Sequence, residues 1–163
     1  MTLPRVIYIS HYAKPDYFQA DTFSSAPGGE NEIEWLKPML KKAGVLDQID
    51  FSGVRLTHGD SLPSLDDADA FIIGGSHHHL SEDLPFQQAL MNWLKEARST
   101  NKPIFGICGG HQMMCSLLGS EVADIETGVV DGSYPVDLTE AGKGHFLFKD
   151  IAPDLRFHFG NYQ

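Results

Sequence analysis

The stretch PIFGICGGHQMM, Pro103–Met114, decides the fold that we predict for this chain. It contains an apolar run of strand type, a cysteine between glycines, and then residues of helical spacing. A nucleophile with small neighbours between a strand and a helix is typical of a nucleophile elbow. Glycines are needed there because the turn is tight and neighbouring elements approach closely. The alternative interpretation is that Cys108 is a small buried residue at a strand end, and spacing alone leaves both open.

The position of Cys108 at the N-terminus of a predicted helix gives the interpretation as a nucleophile a chemical reason. The helix dipole favours the thiolate form of a cysteine placed there, and the thiolate is the nucleophilic form. The free N–H groups of the first helical turn can also receive an oxyanion. Cys108 is therefore the candidate nucleophile.

Outward from the elbow, short apolar runs alternate with segments of helical spacing. The runs of strand type are Arg5–Ser10, Val54–Leu56, Ala70–Ile73 and Pro103–Cys108. Helical spacing is found in ENEIEWLKPMLKKAG, in the segment capped by Ser81 and reaching Ala97, and in GGHQMMCSLLG. This alternation predicts an α/β fold with a mainly parallel sheet covered on both faces. After Gly119 only short strand-like pieces follow, in GVVDGSYPVDLT and LRFHFG.

Composition limits the classes of partner and compartment. With 163 residues, the chain fits one domain, 1–163. The net charge of −10, with no cluster of Lys and Arg, argues against nucleic acid and against an anionic membrane as partners. Cys108 and Cys115 would lie two helical turns apart, too far for a disulfide, which suits a reducing compartment. With no signal peptide and no apolar run of membrane-spanning length, we predict a cytoplasmic protein.

The elbow resembles the nucleophile segment of class I glutamine amidotransferases, which reads Gly-x-Cys-x-Gly-x-Gln. Gly106, Cys108, Gly110 and Gln112 all match it. Upstream, FIIGG is similar to the oxyanion strand of that family, and the likeness covers most of the chain from Ser61 onward. The resemblance implies a flavodoxin-like three-layer α/β sandwich.

The same resemblance implies roles for four residues. Cys108 would attack the side-chain amide of glutamine, or of a related small amide, and form a thioester with release of ammonia. The N–H groups of Gly75 and Gly109 would form the oxyanion hole, and Gln112 would help to shape the glutamine pocket. The family implies no cofactor, and it implies a synthase subunit as a partner.

The chain departs from the family in its histidines. The family takes its triad His and Glu from a late His-Pro-Glu type of segment, and no His-x-Glu occurs here after Cys108. For His111, His145 and His158 a structural or surface role is favoured. We therefore expect a C-terminally truncated domain with impaired hydrolysis, whose uncovered strand edges favour self-association. The alternative is a catalytically incomplete domain that binds a small amide or a partner subunit.

Three consecutive histidines, His77, His78 and His79, form a rival site. Imidazoles suit Zn, Ni and Cu, but consecutive residues of an extended loop point in alternating directions, so we predict no metal site. One of these imidazoles acting as a substitute base for Cys108 stays open. His58 and Asp60 are expected in a turn after a strand. The peptidase- and chaperone-like branch of the superfamily is disfavoured because Gly109, not histidine, follows the cysteine.

Overall fold

The computed structural model describes residues 2–149 and 154–163. The chain divides into two compact units, Met1–Val122 and Ala123–Gln163. Over its described residues, 2–122, the larger unit contains four strands and three α-helices. In chain order these are β1 (Arg5–Ser10), α1 (Glu32–Lys42), β2 (Asp50–Arg55), β3 (Ala70–Ile73), α2 (Pro85–Ala97), β4 (Ile104–Gly106) and α3 (Gly109–Leu117).

The four strands form one parallel sheet in the order β2-β1-β3-β4. Parallel neighbours need crossover connections, and here α1 joins β1 to β2 while α2 joins β3 to β4. On one face of the sheet, Ile33 of α1 packs against Gly53 of β2. On the other face, α2 and α3 cover the central strands. The predicted mainly parallel α/β architecture is confirmed.

The core lies between the sheet and the pair of helices α2 and α3. Its fully buried members are Ile9, Ala68, Phe71, Ile73, Leu90, Trp93, Leu94, Ala97 and Met113. The ring of Phe71 packs edge-on against Trp93 with centroids 4.8 Å apart. The indole N–H of Trp93 donates to the Pro63 carbonyl at 2.8 Å, so the one polar atom of this large side chain is satisfied.

Strand β2 begins earlier than the sequence predicts, at Asp50 and not at Val54. It pairs with all six residues of β1, and this backbone pairing overrides the weak strand propensity of Ser52 and Gly53. A Cβ on Gly53 would lie 2.7 Å from a side-chain atom of Ile33, so this glycine admits the side chain of α1.

Helix α2 begins later than predicted, so Ser81 is not its N-cap. Ser81 lies in a short 3₁₀ turn, after which Asp83 adopts a left-handed conformation with φ of 49°. A residue in the left-handed region cannot continue a right-handed helix, so the 3₁₀ turn ends at Asp83 and α2 begins separately after it. Pro85 then occupies the first helical position, and the Gln87 side chain accepts from the Leu84 N–H at 2.7 Å.

The smaller unit contains β5 (Val130–Pro135), the short helix α4 (Glu140–Lys143) and β6 (Arg156–Asn161). The two strands pair antiparallel over six residues, which confirms the strand-like pieces expected after Gly119. The organisation of residues 1–163 as one domain stays a prediction. Among residues 2–149 and 154–163, no helix has both the length and the apolar character of a membrane span.

Candidate active site

Cys108 stands between β4 and α3 and has an unusual backbone conformation. It is the N-cap of α3, with φ of 48° and ψ of −110°. A cysteine with positive φ is sterically strained, and such strain persists only where the surroundings enforce it. The residue is exposed, whereas Gly109 and Gly110 after it are buried. The side chain is thus presented to solvent on a strained turn at a helix N-terminus, the geometry of a nucleophile elbow.

The glycines of this segment are required by close approach. A Cβ on Gly106 would lie 2.7 Å from the backbone nitrogen of His111, and one on Gly109 would lie 2.7 Å from the Ser76 Cβ. A Cβ on Gly110 would lie 2.5 Å from the Ile73 carbonyl oxygen. No side chain can be accommodated at these distances without a shift of the backbone. The end of β4 and the first turn of α3 are therefore seated directly on the end of β3.

The end of β3 lies beside the elbow and is held by backbone hydrogen bonds. The Gly110 N–H donates to the Gly74 carbonyl at 2.9 Å, and the Gly74 N–H donates to the Ile9 carbonyl at 3.0 Å. A Cβ on Gly75 would lie 3.6 Å from the Cβ of Cys108, so Gly75 and Cys108 are direct neighbours. The carboxyl ends of β1, β3 and β4 thus meet at one place, as expected of parallel strands.

The other two predicted site residues lie in the first turn of α3. Gly109 is its first residue, and the N–H groups of a first turn have no acceptor within the helix. Gln112 is its fourth residue, and its N–H donates to the Cys108 carbonyl at 2.9 Å. The structure thus brings Cys108, Gly75, Gly109 and Gln112 together.

His11, which no sequence pattern marks, lies buried beneath the elbow. It follows β1 directly, is only 1% exposed, and places its Cε1 3.3 Å from where a Cβ of Gly109 would be. Its Nε2 lies 2.8 Å from the Gly74 carbonyl oxygen and, since a carbonyl only accepts, must carry the proton. Burial lowers the pKa of His11 to about 4, and this hydrogen bond opposes the shift only in part. His11 is therefore neutral at pH 7 and supports the Gly74 carbonyl.

Glu32 and Tyr8 form a second buried group, which lies against Gly74. Glu32 is the first residue of α1 and is 5% exposed, and Tyr8 of β1 is 2% exposed. The Tyr8 hydroxyl and Oε1 of Glu32 both occupy the space that a side chain on Gly74 would need. Burial raises the pKa of Glu32 to about 7, although Tyr8 and Ser10 oppose this as hydrogen-bond donors. No local pattern marked this group, because an acidic residue in the first turn of a helix is ordinary.

Of the three consecutive histidines, His77 and His78 have different side-chain partners. His77 Nε2 lies 2.9 Å from the Tyr12 hydroxyl, within a cluster of aromatic rings. His78 is 8% exposed, and its Nδ1 lies 3.3 Å from a carboxylate oxygen of Glu82. Within the described ranges, no group of three or more His, Cys, Asp or Glu residues is arranged to hold a metal ion.

The remaining histidines, His58, His111, His145 and His158, have other surroundings. His111 places its Nε2 3.3 Å from the sulfur of Cys115, and both cysteines are free thiols. His58 ends a 3₁₀ turn and contacts Glu30 at 3.0 Å, which lowers the pKa of that carboxyl group. In the smaller unit, His145 caps a 3₁₀ turn and His158 lies on β6.

A family model of CobB/CobQ-like glutamine amidotransferase domains matches residues 39–137, which is more than half of the chain. The match contains β3, the elbow and α3. The chain belongs to this family of glutamine amidotransferase domains. The predicted family and the flavodoxin-like fold class are thereby confirmed.

Individual relatives agree with this assignment. The chain is 38% identical over 76 residues to a cobyric acid synthase of Ruminiclostridium cellulolyticum, covering 45% of this chain and 14% of that protein. It is 33% identical over 108 residues to the cobyric acid synthase of Moorella thermoacetica, covering 64% of this chain and 20% of that protein. A crystal structure of a glutamine amidotransferase from Thermotoga maritima has the same fold, with a TM-score of 0.70 at 19% identity. That match covers 99% of this chain and 62% of the other. The chain thus corresponds to a part of each of these relatives.

Proposed function

We propose that this amidotransferase domain cleaves the side-chain amide of glutamine, with Cys108 as the nucleophile. The observation that carries the proposal is the conformation of Cys108, an exposed cysteine held at positive φ on the N-terminus of α3. Membership of the amidotransferase family supports glutamine, or a related small amide, as the substrate. A synthase part or subunit is the proposed recipient of the ammonia.

In the proposed reaction, the thiolate sulfur of Cys108 attacks the amide carbonyl carbon. The π electron pair moves to the oxygen, which accepts hydrogen bonds from the N–H groups of Gly75 and Gly109. As the carbonyl re-forms, the C–N bond breaks, the nitrogen gains a proton and leaves as ammonia, and a γ-glutamyl thioester remains. Water then releases glutamate and regenerates the thiol. Gln112, one turn along α3, would help to shape the pocket for the glutamine side chain.

The rate of this reaction in the present chain is a separate proposal. No His-x-Glu follows Cys108 in this sequence, and loss of a base commonly costs about 10³-fold or more in rate. We therefore propose slow turnover with an intact substrate site. The second candidate function, a catalytically incomplete domain that binds an amide or a partner subunit, is favoured by the same observation. A histidine that replaces the missing base of the family is a further proposal. His78 is the candidate, because its Nδ1 lies 3.3 Å from a carboxylate oxygen of Glu82, as in a histidine and carboxylate pair that acts as a general base.

Alkylation by a chloromethyl ketone analogue of glutamine tests the substrate site. We expect the analogue to alkylate Cys108 at least about tenfold faster than Cys115, and excess glutamine to protect only Cys108. Peptide mass spectrometry measures both sites in the same sample, so Cys115 is an internal control. Equal labelling of the two cysteines without protection by glutamine would contradict a glutamine site.

Glutamate release measures the turnover itself. We expect Cys108→Ala to abolish whatever release the wild type shows, because no other described residue occupies the elbow. Cys115→Ala is the matched control and should keep the wild-type rate. Release that persists in Cys108→Ala would exclude Cys108 as the nucleophile, whereas labelling of the wild type without release would favour the binding function. His78→Gln tests the substitute base: if His78 activates the Cys108 thiol, this variant slows both glutamate release and alkylation of Cys108, while alkylation of Cys115 stays unchanged.

A further inference from the structure

A cavity of about 390 Å³ in the larger unit has no role in the chemistry described so far. It is lined by the loop that follows β1 and by the 3₁₀ turn that follows β2, and its volume lies in the range of small-molecule sites, about 300–1,000 Å³. The lining includes two phenylalanines, Phe18 and Phe23, two acidic residues, Asp16 and Glu30, and His58. None of the described residues that line it is a lysine or an arginine. The lining therefore combines aromatic rings with negative charge.

The aromatic part of the lining is held by packing within the larger unit. The ring of Phe18 lies edge-on against Phe23 and edge-on against the imidazole of His77, in both cases with centroids 4.9 Å apart. Phe23 also contacts Trp35 of α1 at 5.1 Å, and the indole N–H of Trp35 donates to the Gly29 carbonyl at 2.7 Å. Rings that are fixed before a ligand arrives lose little entropy on binding, and their faces attract cations.

Asp16 is placed at the cavity by a turn of the loop. The Tyr17 N–H donates to the Lys14 carbonyl at 3.2 Å, which closes a four-residue turn with Pro15 at its second position. Asp16 takes the third position with φ of 61°, as the third residue of a type II turn does. Within residues 2–149 and 154–163, its carboxylate forms no ion pair. Its negative charge is thus not compensated by a neighbouring side chain.

The second carboxyl group, that of Glu30, belongs to a cluster in which one contact cannot be satisfied. Nε2 of His58 lies 2.7 Å from Nη2 of Arg55 and 3.0 Å from Oε1 of Glu30. A ring nitrogen can accept from the guanidinium group or donate to the carboxylate, but it cannot do both. An ammonium group that donated to Glu30 would resolve this conflict. Nε2 could then accept from Arg55 while Nδ1 donates to the Thr57 hydroxyl, 3.2 Å away.

We propose that this cavity binds a small organic ammonium ion. The ammonium group lies toward Asp16 and Glu30, and the apolar body of the ligand lies against Phe18 and Phe23, where the ring faces add cation–π attraction. An anion of the same shape is repelled by the two carboxylates. The proposal goes beyond the proposed function and is independent of it, because it needs neither Cys108 nor glutamine.

Calorimetric titration of the full chain with phenethylamine tests the requirement for positive charge. This amine is a cation at pH 7, whereas phenethyl alcohol has nearly the same shape and no charge. We expect the amine to bind at least about tenfold more tightly than the alcohol, since ion pairing and cation–π attraction act on the amine alone. Equal affinities, or no saturable binding of the amine, would overturn the proposal.

Variants of the two acidic residues test where the amine binds. We expect Asp16→Asn and Glu30→Gln each to weaken binding of the amine about threefold to fivefold, while binding of the alcohol stays unchanged. Asp16 is exposed, and asparagine also tolerates a positive φ, so Asp16→Asn tests the proposal if Glu30→Gln does not fold. Glu96→Gln is the matched control, because it removes the same charge from α2 outside the cavity. Wild-type affinity in the folded Asp16→Asn and Glu30→Gln variants, or an equal loss in Glu96→Gln, would contradict the proposal.

Labelling at the elbow separates this cavity from the site of Cys108. Protein alkylated at Cys108 by the glutamine analogue should bind phenethylamine with wild-type affinity. Loss of binding after alkylation would mean that the amine occupies the elbow, and the proposal would then be wrong. Failure of the proposed function has a different signature: the analogue does not prefer Cys108 over Cys115, while amine binding still responds to Asp16→Asn.

Discussion

Replacing Gly110 with alanine is expected to lower the free energy of unfolding of the larger unit by about 3 kcal/mol. A Cβ at this position would lie 2.5 Å from the carbonyl oxygen and 2.8 Å from the Cβ of Ile73. Ile73 belongs to β3, which is hydrogen-bonded on both sides, so the obstacle cannot rotate away. At an unhindered helix position, replacing glycine with alanine would raise the free energy of unfolding by about 1 kcal/mol. The close contact with Ile73 therefore reverses the sign of the expected change.

Denaturant unfolding followed by tryptophan fluorescence measures this effect. Both tryptophans, Trp35 and Trp93, lie in the larger unit, so the signal reports on the part of the chain that contains the elbow. Gly75→Ala is the matched control, because its Cβ would meet Cys108 at an ordinary 3.6 Å and its stability should change by less than about 1 kcal/mol. Wild-type stability of Gly110→Ala would mean that α3 is not seated on the end of β3.

Removing the charge of Glu32 is expected to change how stability depends on pH. Burial raises the pKa of Glu32 from 4.5 to about 7, so the native state binds more protons than the unfolded state between these values. The contribution of Glu32 is therefore fully present below pH 4.5 and is lost as pH rises through 7. A shift of this size corresponds to about 3 kcal/mol. Relative to wild type, Glu32→Gln should thus gain about 3 kcal/mol between pH 4.5 and 7.

His11 acts in the opposite direction over nearly the same range. Its pKa is lowered from 6.5 to about 4, so its contribution is present above pH 6.5 and is lost as pH falls through 4. The two buried groups therefore offset one another in the wild type. In Glu32→Gln the dependence that comes from His11 is no longer offset, and through His11 this variant should lose about 3 kcal/mol as pH falls from 6.5 to 4.

Free energies of unfolding at pH 4.5, 5.5, 6.5 and 7.5 test this prediction. The quantity to compare is the difference between variant and wild type, since surface carboxyl groups contribute equally to both. Glu34→Gln should run parallel to wild type across the range. A Glu32→Gln profile that is also parallel would show that Glu32 does not titrate between pH 4.5 and 7 in the folded protein.

The local sequence was sufficient to predict the elbow and most strands of the sheet. Arg5–Ser10 and Ala70–Ile73 are strands with the bounds that their apolar runs predict, because a central parallel strand must be apolar on both faces. The spacing of glycines around Cys108 likewise predicted a tight turn between strand and helix. The strained φ of Cys108 and the close approach of α3 to β3 agree with that reading.

Predictions were wrong where pairing or local backbone geometry outweighs composition. Strand β2 begins at Asp50 because β1 offers six residues to pair with, which no property of residues 50–53 reveals. Helix α2 begins at Pro85 and not after Ser81 because Asp83 turns into the left-handed region. Both differences concern the bounds of an element and leave its type unchanged.

The support beneath the site could not be predicted from local patterns. His11 and Tyr8 come from the end of β1 and Glu32 from the start of α1, and β2 and β3 separate them in the chain from Gly74, which all three contact. Each is polar in a segment that otherwise reads as strand, loop or amphipathic helix, so periodicity gives no indication that its side chain is buried.

By itself, the sequence determined the α/β class, the amidotransferase family and the cysteine at the elbow, because these depend on residues that are adjacent in the chain. Only the tertiary structure decided which groups lie against Gly74 and Gly75, the glycines that follow β3. The parallel sheet brings the carboxyl ends of β1, β3 and β4 to one edge, and the first residue of α1, Glu32, lies there against Gly74. That arrangement excludes water from His11 and Glu32 and shifts their pKa values in opposite directions, an effect of burial that no local run of residues contains.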